Sequence, residues 1–324
     1  MPERKPFGAY AIDIQALAKL LEMRKRLNNH TTLLVGARTG ALFRSKQFYE
    51  SLQQFSNRGF SHLTQAEQFG ECYSILTKPG LFSETDIHGI LRDSLQDLTI
   101  TKAEDCLAEL VKYEHFDEII STNVDGFIEQ SLIQSGMKEG HDFEVTIAGH
   151  GRLGERSFPH RIIKVFGDFS PRDYTISNRR AHLERPELAR LLSSILEKDL
   201  LVVGIDPLWD EAILHAIPME AGSMWFVNEE DLMQHSFTCT ILQERQATYI
   251  LSKEGSFDNF VRTLHGYLYG GIPINHQLVL DLSKQLFDLS NQLQVLQHEQ
   301  RTILSEIKKI QDEIGNLSQR WDQQ

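Results

Sequence analysis

The feature that most constrains this chain is a short apolar run, Leu200 to Val203, set between the charged helix end Glu197-Lys198-Asp199 and the turn Gly204-Ile205-Asp206-Pro207. A run that is apolar at every position needs cover on both faces. That predicts a central strand of a parallel sheet rather than a half-wet antiparallel one. The same layout recurs three times. Thr31 to Val35 stops at Gly36-Ala37-Arg38-Thr39-Gly40 and restarts as a helix from about Phe43 to Phe55. Ile119-Ile120 stops at Thr122-Asn123-Val124-Asp125, after which Phe127, Ile128, Leu132 and Ile133 recur at helical spacing. Arg161 to Val165 ends at Phe166-Gly167-Asp168. Phe143 to Ala148, Met224 to Val227 and Thr248 to Leu251 supply further strands, and Tyr174 to Ser177 a small one. Helices are expected over Ile12 to Leu27, Pro186 to Lys198, Asp210 to Ile217 and Phe257 to Leu268. Strands alternating with helices predict an α/β fold, a doubly wound, mostly parallel, Rossmann-like sheet.

In such a sheet the four polar or glycine-rich ends share one edge, and ligands sit outside the carboxyl ends of the strands. Gly36, Ala37, Arg38, Thr122, Asn123, Asp125, Gly167, Asp168, Gly204 and Asp206 are therefore the candidate site. Two readings of these residues stay open. Asn123 or Asp125 could simply cap the next helix. The turn after Thr31 to Val35 has the strand–glycine–helix layout that aims backbone N–H groups at a phosphate, but two glycines also make an ordinary turn.

Residues 56 to 117 read as a helical insertion, clearest at Leu91 to Leu98 and Cys106 to Tyr113, within a domain spanning 1 to 270. The tail, 276 to 324, is different. From Val279 through Leu282, Leu286, Leu289, Leu293 and Leu296 to Trp321, apolar residues recur in steps of three and four, with Gln300 as the polar exception. This heptad pattern predicts a coiled coil and a homo-oligomer formed through residues 279 to 321. The net charge of −12 argues against a surface that tracks nucleic-acid phosphates. Cys72, Cys106 and Cys239 are far apart and lack metal-ligand spacing, so neither a disulfide framework nor a metal site is expected. Met1 to Pro6 lacks an apolar leader and no apolar run reaches membrane-spanning length, which predicts a cytoplasmic protein.

Taken in order, the motifs resemble the sirtuin-like fold, particularly the divergent branch found in bacterial antiphage defence proteins. That branch carries Gly-Ala-Gly, Thr-Asn-x-Asp, Lys-x-His-Gly-Asp and Gly-x-Ser/Asp-x-x-Asp turns. Here the matching stretches are Gly36-Ala37-Arg38, Thr122-Asn123-Val124-Asp125, Lys164-Val165-Phe166-Gly167-Asp168, and Gly204-Ile205-Asp206 followed by Asp210. Phe43-Arg44-Ser45 resembles the sirtuin Phe-Arg-Ser, which adds Arg44 to the cofactor-binding candidates. The resemblance implies a pocket for NAD, or an ADP-ribose-like nucleotide, and cleavage of the bond between nicotinamide and ribose. It implies that Asn123 orients the water or ribose, that Asp125 holds the nicotinamide amide, and that the Gly36 turn holds the pyrophosphate. It also implies a partner within a defence system.

Two departures qualify that implication. The family's general base, the histidine before the glycine, is replaced by Phe166, which cannot take a proton. His160 lies six residues earlier, about 20 Å away at ~3.3 Å per residue. His150 or His182 would have to reach in from a loop. Arg38 stands where the family has glycine, so its guanidinium either bridges a pyrophosphate or fills the space a nucleotide needs. With no zinc module either, protein deacetylation is not expected. The expectations are thus an NAD hydrolase of antiphage defence or, alternatively, a catalytically inactive nucleotide sensor or scaffold assembled by its coil. A different dinucleotide enzyme is a third idea, although Gly-x-Gly-x-x-Gly is missing.

Overall fold

The computed structural model describes residues 10–148, 156–219, 221–230 and 235–270, together with residues 289, 292 and 300. The chain divides into two units, Met1–Pro273 and Ile274–Gln324. In the second, the three described residues, Leu289, Gln292 and Gln300, are helical. The rest of the heptad series lies outside the described residues, as do His150 and the loop 149–155.

The first unit carries strands β1 (Tyr10–Ala11), β2 (Thr31–Val35), β3 (Phe116–Ser121), β4 (Phe143–Ile147), β5 (His160–Lys164), β6 (Gly167–Asp168), β7 (Asp173–Tyr174), β8 (Leu200–Val203), β9 (Met224–Val227) and β10 (Thr248–Ile250). Its helices are α1 (Ile14–Arg26), α2 (Ala41–Arg44), α3 (Lys46–Leu52), α4 (Gln65–Leu76), α5 (Glu84–Leu95), α6 (Lys102–Lys112), α7 (Phe127–Gln134), α8 (Arg179–Leu183), α9 (Pro186–Leu196), α10 (Glu211–Ala216), α11 (Ser236–Glu244) and α12 (Phe257–Tyr269). The main sheet is parallel throughout, in the order β1-β10-β9-β8-β2-β3-β5-β4. The chain steps from β2 to β3 in one direction and from β8 to β9 in the other. The order therefore reverses between β2 and β8, which is where a doubly wound sheet opens its crevice.

Side-chain alternation explains the continuous apolar strands. Leu33, Val35, Leu201 and Val203 face one layer, built with Leu17, Leu107, Leu132 and Phe260 of α1, α6, α7 and α12. Leu34, Leu200 and Val202 face the other, built with Leu192, Ile213 and Ile241 of α9, α10 and α11. A third apolar cluster lies over the strand ends, with Phe48, Phe69, Leu91 and Trp209 among its members. Trp209 stacks on Phe69, centroids 4.7 Å apart, and donates its indole N–H to the Phe69 carbonyl at 2.9 Å.

Several expectations change. The helix foreseen over Phe43 to Phe55 is broken at Ser45, whose hydroxyl caps α3 at Phe48 N and donates to the Ser94 carbonyl at 2.7 Å. The insertion is shorter than 56 to 117. α4 and α5 lie in the cluster over the strand ends, but α6 packs on the sheet face and β3 begins at Phe116. α6 starts at a capping box, Thr101 with Glu104, a local signal that fixes its boundary. Tyr174 to Ser177 is not a strand; β7 is Asp173–Tyr174 and pairs antiparallel with β6. Tyr10–Ala11 and α11 were not foreseen. The first is only two residues long, and Ser236–Glu244 carries two threonines, a cysteine and a phenylalanine in nine residues, which weakens a helical pattern.

Candidate functional site at the strand ends

The carboxyl ends of β2, β3 and β8 converge. A Cβ on Gly36 would lie 2.5 Å from the Gly204 carbonyl oxygen, so these two turns touch backbone to backbone. Gly204 has φ +68°, and a Cβ there would meet the Thr39 methyl at 2.5 Å. Both positions require glycine because of this close approach.

Asn123 follows β3 and donates its amide to the Gly36 carbonyl at 3.2 Å and to the Thr39 hydroxyl at 2.9 Å. Asp125 accepts from Ala41 N at 2.9 Å and from Phe127 N at 3.3 Å, tying the starts of α2 and α7 together. The N-cap of α7 is Gly126, which carries no side-chain cap, and Asp125 reaches Phe127 N from one residue before it. Thr122 is buried, and its hydroxyl donates to the Val35 carbonyl at 3.4 Å.

Arg38 turns inward. Its guanidinium is 7% exposed and is held by Asp206 at 3.0 Å and Glu230 at 3.0 Å. Asp206 also accepts from Leu208 N and Trp209 N, each at 3.0 Å. Asp210 is fully buried and accepts from both Ala37 N and Asp206 N at 2.8 Å. Burial pushes its carboxyl up to about 6, against the pull of those N–H groups and the Thr122 hydroxyl.

Every backbone N–H of the first turn is already used. Gly36 donates to Val203 O at 2.8 Å, Ala37 to Asp210, and Arg38 to Gly204 O at 2.9 Å. Thr39 donates to Gly36 O at 3.0 Å, Gly40 to Ala37 O at 3.3 Å, and Ala41 to Asp125. A Cβ on Gly40 would come within 2.2 Å of the Asn123 amide oxygen. Arg38, Asn123 and Asp210 bond one another's elements across the crevice.

At the next turn, Phe166 is buried beneath Arg179, whose guanidinium carbon lies 4.1 Å from the ring centre. Tyr73 and Trp209 complete an aromatic surround at 5.8 and 5.1 Å. Arg179 donates to the Trp209 carbonyl at 2.6 Å and the Thr175 carbonyl at 3.3 Å. Burial lowers it to about 10, still cationic at neutral pH. His160 sits at the far end of β5, bonded to the Phe116 carbonyl at 3.0 Å. His182 lies on α8 and shares a cleft of about 280 Å³ with Phe166 and Gly167, but its Nε2 is enclosed and has no hydrogen-bond partner.

Gly167 and Asp168 form β6. Asp168 pairs with the fully buried Lys164 ammonium, which also meets Glu129 at 3.0 Å and the Asp125 carbonyl at 2.5 Å. Burial works against the Lys164 charge, but Glu129, Asp168 and Asp125 outweigh it and hold the ammonium above its ordinary value. Arg44 stands apart from the cluster, bound to Glu104 at 2.7 Å and stacked 5.1 Å from the Phe127 ring centre.

The sequence reading passed over Glu129, Arg179 and Glu230, and gave Lys164 and Asp210 no role. Lys164 was findable, since it is a charge directly after Ile162 and Ile163 at the carboxyl end of β5. Glu129 was findable at four residues after Asp125. Nothing in the sequence pairs Arg179 with Phe166. Among the described residues no cluster of potential metal ligands occurs, and no helix is long and apolar enough to cross a membrane.

The fold and site define a doubly wound α/β domain whose strand ends meet at the switch point. No family model matches the chain, and no curated protein matches it in sequence. Solved Sir2 structures align over most of their length. One, from a study of the mechanism and regulation of Sir2 enzymes, is 16% identical, covers 79% of this chain and 96% of its own, and has a TM-score of 0.33. A Sir2–p53 peptide–NAD+ complex is 13% identical over 78% of this chain and 97% of its own, at 0.35. Sir2 bound to an acetylated peptide is 12% identical over the same shares, at 0.34. At these values the class rests on the sheet order itself.

Proposed function

We propose that this chain is a sirtuin-like domain without NAD turnover, serving as a cytoplasmic docking and assembly module that oligomerises through residues 279 to 321. The setting in antiphage defence, with a partner from such a system, follows from the motif resemblance. One observation carries the reading: where an NAD-cleaving site needs a proton acceptor, Phe166 lies buried under the Arg179 guanidinium. General-base catalysis is worth ~10²–10⁴-fold, and neither group can supply it. The spent donors of the Gly36 turn support the same conclusion. The test is chromatography of NAD incubated with the full chain, together with light scattering. No nicotinamide above the buffer control, and a mass that is a multiple of 37.2 kDa, are expected. Nicotinamide release that Asn123→Ala abolishes would overturn the catalytic half, and a monomer mass at micromolar concentration the assembly half.

A nucleotide-sensing reading is favoured by one detail. Glu230, the second anchor of Arg38, is 39% exposed, so an anionic ligand could exchange for it. Calorimetric titration with NAD and ADP-ribose separates the two, since heat of binding without turnover marks a sensor.

A further inference from the structure

Asp125 also lines a cleft of about 540 Å³ in which Gly36, Asn123 and Gly204 take no part. Its walls are the start of α7, the β4 residues Val145 and Ile147, and the turn from Asp168 to Pro171. Among the described residues four carboxylates border it: Asp125, Glu129, Glu139 and Asp168. Behind them stands one ammonium, Lys164, and its three N–H groups already meet three acceptors: Asp168, Glu129 and the Asp125 carbonyl. Four negative charges against one positive leave an excess of three. The α7 N-terminus offsets only about half a charge. Arg44, the guanidinium stacked on Phe127, is already bound to Glu104. Phe127, Ile147 and Phe169 give the same cleft an apolar surface.

We propose that this cleft docks a partner protein through an arginine flanked by apolar residues, the guanidinium meeting Glu129, Glu139 and Asp168 and the flanks packing on Phe127, Ile147 and Phe169. Charge complementarity selects the occupant. A planar guanidinium matches several carboxylates at once. The same lining is hostile to a phosphate or a nucleotide. The inference rests on the docking-module reading, but it is tested without NAD, so it can fail while the absence of turnover stands.

The probe is a fluorescein-labelled nonapeptide of alternating arginine and leucine, titrated with the full chain and followed by anisotropy. Glu139 is exposed and outside the Lys164 cluster, so Glu139→Lys leaves the fold intact; Glu187→Lys, on the exposed start of α9, changes net charge equally elsewhere. Glu139→Lys is expected to weaken binding at least tenfold and Glu187→Lys less than twofold. Replacing the peptide's arginines by citrulline should abolish binding. Equal weakening by the two variants would mean attraction to the acidic surface at large and would overturn the proposal. Absence of binding, or full competition by micromolar spermine, would overturn it too, the latter in favour of a small polyamine.

Discussion

The Arg179 guanidinium and the Phe166 ring form a cation–π pair at 4.1 Å, with both side chains buried. The pair joins α8 to the turn after β5, and Trp209 and Tyr73 tie it to the helices over the strand ends. A positive charge and an apolar ring, neither able to accept a proton at neutral pH, therefore hold this position.

Phe166→His tests whether an imidazole at this position supports NAD cleavage. A ring beside a buried guanidinium stays neutral, and its polar nitrogens lose water, at a cost of roughly 1–3 kcal/mol. The melting temperature should fall, and nicotinamide release from NAD should stay at background. A variant that turns NAD over would show that the crevice opens in solution.

Lys164→Met should be among the most damaging single changes. It strands Glu129 and Asp168 without their shared ammonium, and removing one partner of a buried ion pair costs about 3–5 kcal/mol. Adding Asp168→Asn should recover part of the loss in a double-mutant cycle measured by urea unfolding. Strict additivity of the two changes would mean that the pair is not coupled.

Asp210 gives a pH dependence with a defined sign. Its folded carboxyl is raised from 3.8 to about 6 by burial, so the folded state holds the proton more tightly than the unfolded chain. Its contribution favours folding below pH 4 and is lost as pH rises through 6. Relative to Asp210→Asn, the native protein should lose about 2 kcal/mol between pH 4 and pH 7. Urea midpoints of both proteins across that range provide the check, and a difference that stays flat rules out a desolvated carboxylate.

Two glycine substitutions should move stability in opposite directions. Gly204→Ala drives a Cβ to 2.5 Å from the Thr39 methyl at a positive φ, and should destabilise by at least ~1–3 kcal/mol. Gly89→Ala lies within α5 with nothing inside 4 Å, and should stabilise by about 0.5–1 kcal/mol. Thermal unfolding of the two variants gives both signs in one experiment.

Most of the sheet was legible because each strand carries its own signal. Thr31–Val35, Leu200–Val203 and Met224–Val227 are apolar runs with clear stops, and the structure begins and ends them where the sequence does. The layer assignment of α6 was not legible. Its amphipathic face fits either the sheet or the cluster over the strand ends, and only the contacts with α7 and α12 decide between them.

The sequence alone determined the parallel α/β class, the shared edge of the four turns and the phenylalanine at position 166, since each is written in local pattern and residue identity. Tertiary structure decided what those turns hold. Asp210 reaches Ala37 across 173 positions and Asp206 meets Arg38 across 168, and no local rule anticipates a carboxylate arriving from so far along the chain. The protein's own charges bridge the crevice because β2 and β8, distant in sequence, are neighbours in the sheet.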